Sequence, residues 1–228
     1  MTPEKLKSES IGFGFCVSGR LAIYLAPCFC RDDLKHQRLD GLVYGETDLK
    51  IMLITDAWHP QVNGVVRTLN RVIEESEAMG HVFEVVSPAD GFKTIPLPTY
   101  SEIKLAIGAR KAIEERFHKF EPEAVHIATE GTLGMAARAM CLKQNFPFTT
   151  SYHTRFPEYV SARFPVPLSW GYGFMRWFHR YSGHVMVATP SMREELEAHG
   201  FGNVVSWSRG VDTKLFHPEK RTTMPDPF

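Results

Sequence analysis

Lys50-Ile-Met-Leu-Ile-Thr55 is the stretch on which the fold turns. An apolar run this short, closed by a polar residue at each end, suits a strand covered on both faces, as in a parallel sheet. Behind it Val65, Val66, Leu69, Val72, Ile73 and Met79 recur at helical spacing, Gly80 offers a helix stop, and 81–86 reads as a second strand. Strand, helix and strand within roughly thirty residues make a βαβ unit with a right-handed crossover.

Working outward, the alternation continues. Ile103, Ala106, Ile107, Ile113, Phe117 and Phe120 predict one helical face, 124–127 a buried strand, and 132–144 another helix. A short strand is expected at 148–151, a helix in the second half of the aromatic-rich 156–181, and a strand at 184–188. Pro190 and the capping-box spacing from Ser191 to Glu194 start a further helix, Gly200 closes it, and 204–207 is the last strand. The expected fold class is α/β, a doubly wound, mostly parallel sheet whose ligand edge lies at the carboxyl ends of the strands. Residues 1–48 show no period, so the folded domain is expected at 49–217, after a poorly ordered leader and before a short interdomain segment at 218–228.

Composition removes several function classes. Lysine plus arginine equal aspartate plus glutamate at 26 each, so no global field favours nucleic acid. Cys16, Cys28, Cys30 and Cys141 have neither CxxC spacing nor the density of a disulfide scaffold, which fits a reducing cytoplasm. Arg20 interrupts the stretch 11–27, so no transmembrane segment is expected. There is no HExxH, GxGxxG or GxSxG, which argues against a zinc protease, a nicotinamide enzyme and a serine hydrolase, and no cofactor is implied.

Two loops carry chemistry. The first strand empties into Asp56-Ala-Trp-His-Pro-Gln-Val-Asn-Gly64, which places Gly64 at a helix start, where backbone amides attract phosphate and a missing Cβ lets a ligand approach. The alternative is a glycine required only by a tight turn. The second loop, Ser151-Tyr-His153-Thr-Arg155-Phe-Pro-Glu-Tyr159, follows another strand and so falls on the same edge. There His153 could donate a hydrogen bond to a sugar hydroxyl or orient a phosphate, and Arg155 could add charge; a histidine satisfied by core carbonyls is the competing reading.

Several motifs fall in a specific order: Pro60-Gln-Val-Asn-Gly-Val-Val-Arg-Thr-Leu69, Val125-His-Ile-Ala-Thr-Glu130, Leu133-Gly134, His153-Thr-Arg-Phe-Pro-Glu-Tyr159, Thr189-Pro-Ser191 and Trp207-Ser-Arg-Gly-Val-Asp-Thr213. Together they resemble the amino-terminal part of family 4 glycosyltransferases, especially mannosyl- and sulfoquinovosyl-transferase-like members. The resemblance implies a retaining enzyme of two Rossmann-like domains that moves a sugar from GDP-mannose or a UDP-sugar to a lipid or glycan acceptor. It places Gly64, with Asn63, near the donor diphosphate and His153 in the catalytic position near the transferred sugar. Arg67, Glu130, Arg155 and Tyr159 become candidates for the acceptor cleft. In such enzymes the donor phosphate helps deprotonate the acceptor on the same face, so no carboxylate nucleophile is required.

The family pattern continues into a donor-binding domain with a basic glycine-arginine-lysine site and paired glutamates. The chain is accordingly read as truncated before that domain, weak in nucleotide-sugar binding and inactive alone. The alternatives are a partner module for a separately encoded donor-binding chain, or a non-functional product. A cytoplasmic location is expected, peripheral at the inner membrane face. Two sequence features suit contact with an anionic membrane: the cations Lys93, Lys104, Arg110, Lys111 and Arg116, and the aromatics Phe164, Trp170, Tyr172, Phe174, Trp177 and Phe178. The competing reading makes the cations a solvated helix face and the aromatics core packing.

Overall fold

The computed structural model describes residues 48–97, 100–207, 216, 217 and 219. The expected leader up to 47, the Arg209-Gly-Val-Asp212 segment and nearly all of the expected interdomain segment lie outside the described residues.

The chain runs β1 (Lys50–Ile54), α1 (Gly64–Glu77), β2 (Val82–Val86), β3 (Lys93–Leu97), β4 (Tyr100–Ile107), α2 (Arg110–Phe120), β5 (Ala124–Ile127) and α3 (Thr132–Gln144). It continues with β6 (Thr149–Tyr152), α4 (Phe156–Ser161), α5 (Leu168–His179), β7 (Val185–Val187), α6 (Pro190–Ala198) and β8 (Val204–Ser206). Six strands form one sheet in the order β2-β1-β5-β6-β7-β8, and every pairing in it is parallel. The chain leaves β1 in one direction to reach β2 and returns past it to β5. The topological switch point, where such sheets bind ligands, therefore lies between β1 and β5.

Residues 51–54 of β1 are all buried, because each face of the strand meets a different layer. Met52 and Ile54 join Val125, Ile127, Ile113, Leu133 and Met140 under α2 and α3. On the other face, Leu53 packs with Leu69 of α1, and Ile51 with Val72. That two-sided burial explains the unbroken apolar run. Helix α1 starts where Asn63 accepts the amides of Val65 and Val66 at 3.0 Å through its side-chain oxygen. Its exit turn has Gly80 at φ +97°, a conformation suited to glycine.

The structure corrects the expected helix spanning 103–120. Residues 100–107 instead form β4, which pairs antiparallel with β3 in a separate two-stranded ribbon, and only α2 is helical. The spacing of Ile103, Ala106 and Ile107 fits a helix face, but Gly108 at φ +68° breaks the chain before α2. Pairing across the ribbon is a non-local gain that local periodicity does not carry. At α6 the cap is Thr189, whose hydroxyl accepts the Met192 amide at 3.3 Å, not the expected Ser191; Pro190 takes the first helical position.

Gly134, on the first turn of α3, has a packing reason. A Cβ there would lie 1.9 Å from the Thr129 carbonyl oxygen, so α3 sits as close to the β5 exit as only glycine allows. Gly134→Ala should therefore lower the unfolding free energy by roughly 1–3 kcal/mol, measured as a fall in the urea midpoint at unchanged slope. A midpoint matching wild type would show that the helix shifts without cost.

Candidate functional site

Because β1, β5 and β6 are adjacent and parallel, their exit loops leave the same edge of the sheet. Gly64 and His153 lie on that edge, two strands apart, which at the usual strand spacing is about 10 Å of sheet. Between them runs the β5 exit with Glu130.

Asp56 organises this edge. Its carboxylate accepts the backbone amides of Leu133 (2.8 Å) and Gly134 (3.2 Å) and the hydroxyls of Thr129 (3.0 Å) and Thr132 (3.3 Å). It thus caps α3 from another loop and ties the β1 exit to the β5 exit. A Cβ on Gly131 would stand 2.3 Å from the Asp56 carboxyl carbon, so that glycine makes room for the contact. Burial raises the Asp56 carboxyl above its ordinary value, and the four donors pull in the opposite direction.

The candidate residues divide by what already occupies them. Asn63 is spent on the α1 cap, with its amide nitrogen donating to Gln61 at 3.0 Å. Glu130 turns toward the sheet, its Oε1 3.4 Å from Nε2 of His179, whose Nδ1 lies 2.8 Å from the Thr150 hydroxyl. Arg155 is ion-paired with Glu195 of α6. Tyr159 is exposed beneath the Arg163 guanidinium, 4.4 Å from its ring centre. Gly64 and Arg67 lie exposed on the first turn of α1. His153 is half-buried, with its ring edge-on to Trp207 at 6.0 Å.

A brace behind His153 escaped the sequence reading. The Tyr172 hydroxyl of α5 contacts Glu158 of α4 and Glu195 of α6, the latter at 2.8 Å, and its ring stacks on His199 at 3.4 Å. Burial first, and then these carboxylates, raise the phenol above its ordinary value and keep it a donor. Glu158 and Arg155 belong to the His153 loop, so α5 and α6 hold that loop together. Only Glu158, already inside the quoted motif, offered a signal.

His126 belongs to the core. It lies between the Thr149 and Ser151 hydroxyls, 2.8 Å from each, and burial, followed by the neighbouring His153, lowers it to about 3. Among the described residues no group of three or more His, Cys, Asp or Glu side chains could hold a metal ion. Nor is any described helix long and apolar enough to cross a membrane.

A doubly wound α/β lobe whose glycine-opened helix and histidine loop share the carboxyl edge belongs to the class that meets ligands at a switch point. The glycosyltransferase family 4 model matches residues 62–215, and the chain belongs to that family. It is 26% identical to a GDP-mannose-dependent alpha-mannosyltransferase of Corynebacterium glutamicum, over 76% of this chain and 46% of that protein. A protein of the same description from Mycobacterium tuberculosis is 24% identical over 76% of this chain and 50% of its own length. A sulfoquinovosyl transferase of Arabidopsis thaliana is 25% identical over 58% and 27%. The chain thus spans about half the length of the two mannosyltransferases.

The His126 environment sets a pH dependence. Its folded value lies below the unfolded value of about 6.5, so the unfolded chain takes up the proton first. Stability is lost as pH falls through about 6.5 and onward toward 3. Wild type should lose more stability than His126→Gln between about pH 7 and about pH 4, by on the order of a few kcal/mol in urea unfolding. Parallel pH curves for the two proteins would refute the neutral, buried imidazole.

Proposed function

We propose that this chain is the acceptor-side lobe of a retaining glycosyltransferase that moves a sugar from a nucleotide sugar, GDP-mannose or a UDP-sugar, to a lipid or glycan acceptor. The observation that carries the reading is the state of Gly64. It lies outside the left-handed region and a Cβ added to it would meet nothing within 4 Å, so the fold itself does not demand glycine there. What an open, side-chain-free helix start on the switch-point edge serves is the close approach of a diphosphate. Asn63 already satisfies the Val65 and Val66 amides, which leaves the Gly64 N–H to meet the phosphate.

In this reading His153 donates a hydrogen bond to the transferred sugar, held in place by the Tyr172 brace behind its loop. Arg67 and Tyr159 face the acceptor. Asn63 and Arg155 serve by position, since each is engaged within the protein, and Glu130 lies between the two loops beside His179. Family membership and the similarity to mannosyltransferases that use GDP-mannose support the donor class. The similarity to an alpha-monoglucosyldiacylglycerol synthase of Acholeplasma laidlawii, 25% identical over 49% of this chain and 31% of that protein, supports a lipid acceptor, and reaching a lipid acceptor brings the lobe into contact with a membrane surface. In this reading the main grip on the leaving diphosphate belongs to the donor-binding domain of the family, and this lobe adds a weaker contact.

Saturation-transfer NMR reads weak complexes and suits this division of labour. The chain should show donor signals from GDP-mannose or UDP-glucose with Kd near or above about 1 mM, and Gly64→Ala and His153→Ala should each lose them at an unchanged unfolding midpoint. Binding tighter than about 10 μM would overturn the weak-donor assignment, and an undiminished signal in Gly64→Ala would remove the phosphate role.

A further inference from the structure

Helix α5 has two sides of opposite texture. Tyr172, Met175, Phe178 and His179 are buried against the sheet and its neighbours. The far side carries Trp170, Phe174, Trp177 and, just past the helix end, Tyr181, which are 72%, 37%, 45% and 54% exposed. Their spacings of four, three and four residues set them in one stripe. A domain-surface helix ordinarily turns polar residues to water, so an aromatic stripe in that position marks a contact surface. Phe164 and Leu168, also exposed, lengthen it toward the preceding turn.

The charge carried by α5 and the turns that flank it has one sign. From Tyr159 to Arg193 the sequence contains no aspartate or glutamate, while Arg163, Arg176, Arg180 and Arg193 all fall inside it. Of the three α6 carboxylates beyond this stretch, Glu195 is engaged with Arg155 and Tyr172 and Glu197 with Arg193, while Glu194 is exposed. Next to the stripe opens a cavity of about 570 Å³, lined by Arg176, Trp177 and Arg180 together with Phe201 and Asn203. Arg176 is anchored at its rim by donating to the His199 carbonyl at 2.8 Å. The cavity lies where α5 and α6 end and β7 and β8 begin, which is the amino edge of the sheet, opposite Gly64 and His153. A ligand there is separate from the donor crevice.

Part of the other basic surface anticipated from sequence is paired internally. On α2, Lys111 pairs with Glu115 at 3.6 Å, and Arg116 with Glu84 at 3.6 Å and Asp90 at 3.1 Å. Surface pairs of this kind leave little net field.

We propose that the exposed face of α5 docks on an anionic bilayer, with the Trp170-Phe174-Trp177-Tyr181 stripe at headgroup depth and the Arg176–Arg180 cavity receiving a lipid phosphate. The inference deepens the membrane contact proposed above by assigning its surface. Tryptophan and tyrosine present an apolar body with a polar tip, the combination that settles at a water–hydrocarbon boundary. Arginine beside them adds attraction to anionic headgroups while its stem covers apolar surface. A two-fold pairing of copies through this face would set arginines against their like, whereas an anionic leaflet supplies the opposite charge along the whole stripe.

The test is cosedimentation of the chain with phosphatidylcholine vesicles, with and without phosphatidylglycerol, with tryptophan emission followed in parallel. Binding is expected to require phosphatidylglycerol, to weaken with salt, and to shift the emission to the blue. Trp170→Ser/Phe174→Ser and Arg176→Gln/Arg180→Gln should each weaken it by roughly tenfold or more, with circular dichroism melts unchanged. Retained binding in both α5 variants, with loss in Lys111→Gln/Arg116→Gln, would overturn this inference while sparing membrane contact itself. Failure to bind phosphatidylglycerol vesicles at all would remove both. A lipid-free dimer dissolved by the α5 variants would assign the stripe to a second copy instead. None of these readouts uses sugar transfer, so each is independent of the donor and acceptor assignments.

Discussion

The Asp56 carboxylate joins two loops that the chain builds more than seventy residues apart, accepting two amides and two hydroxyls from the β5 exit and the start of α3. Much of the carboxyl edge follows from that one contact. Gly131 is small because the carboxylate lies against it. Gly134 is small because α3 must come close enough for its amide to reach Asp56, which presses the helix onto the Thr129 carbonyl. The β1 exit is thereby held to the β5 exit, and the open start of α1 meets the switch point in a defined position. A buried carboxylate of this kind is stable only while all its donors are in place, so the edge behaves as a unit.

The two edges of the sheet carry different kinds of surface. At the carboxyl edge polar groups are organised in depth: Asp56 under α3, Glu130 against His179, and the Tyr172 contacts behind the His153 loop. Most of these hydrogen bonds are internal, so they stiffen the loops and leave few side chains turned outward. Gly64 contributes through the side chain it lacks, by exposing backbone where a bulky anion can reach it. Along α5 toward the amino edge, aromatic rings stay exposed while arginines pack on or beside them, Arg138 over Trp177 and Arg180 over Tyr181. An enzyme that handled a lipid acceptor would gain from that separation, because a lobe anchored away from its crevice keeps the crevice open to a nucleotide sugar from water.

The parallel strands were legible because a strand covered on both faces is apolar along most of its length, as 51–54 is throughout and 124–127 is except at His126. Helix α1 was legible from its period and its glycine stop. The β3–β4 ribbon was not, since Ala106 and Ile107 satisfy helical spacing equally well and the partner strand that decides between them lies across a turn. His126 illustrates the same limit. Its sequence neighbours do not reveal that Thr149 and Ser151 would enclose it. Tyr172, Trp170 and Trp177 share one aromatic-rich segment, yet one ends in the core and two on the surface, because helical rotation about α5 sorts them.

By itself the sequence determined the class of fold, the main parallel strands in chain order, the shared sheet edge of Gly64 and His153, and the family to which the chain belongs. These follow from local composition and from chain order, which the right-handed crossover converts into spatial order. Only the tertiary structure decided which polar side chains remain available. Asn63, Glu130 and Arg155 were all reasonable as ligand contacts; Asn63 and Arg155 are engaged by partners within the protein, and Glu130 is turned toward His179 without a hydrogen bond to it. The partner of Arg155 comes from a distant element, as does the His179 ring beside Glu130, and contact between groups forty residues apart depends on distance and direction that no local pattern encodes.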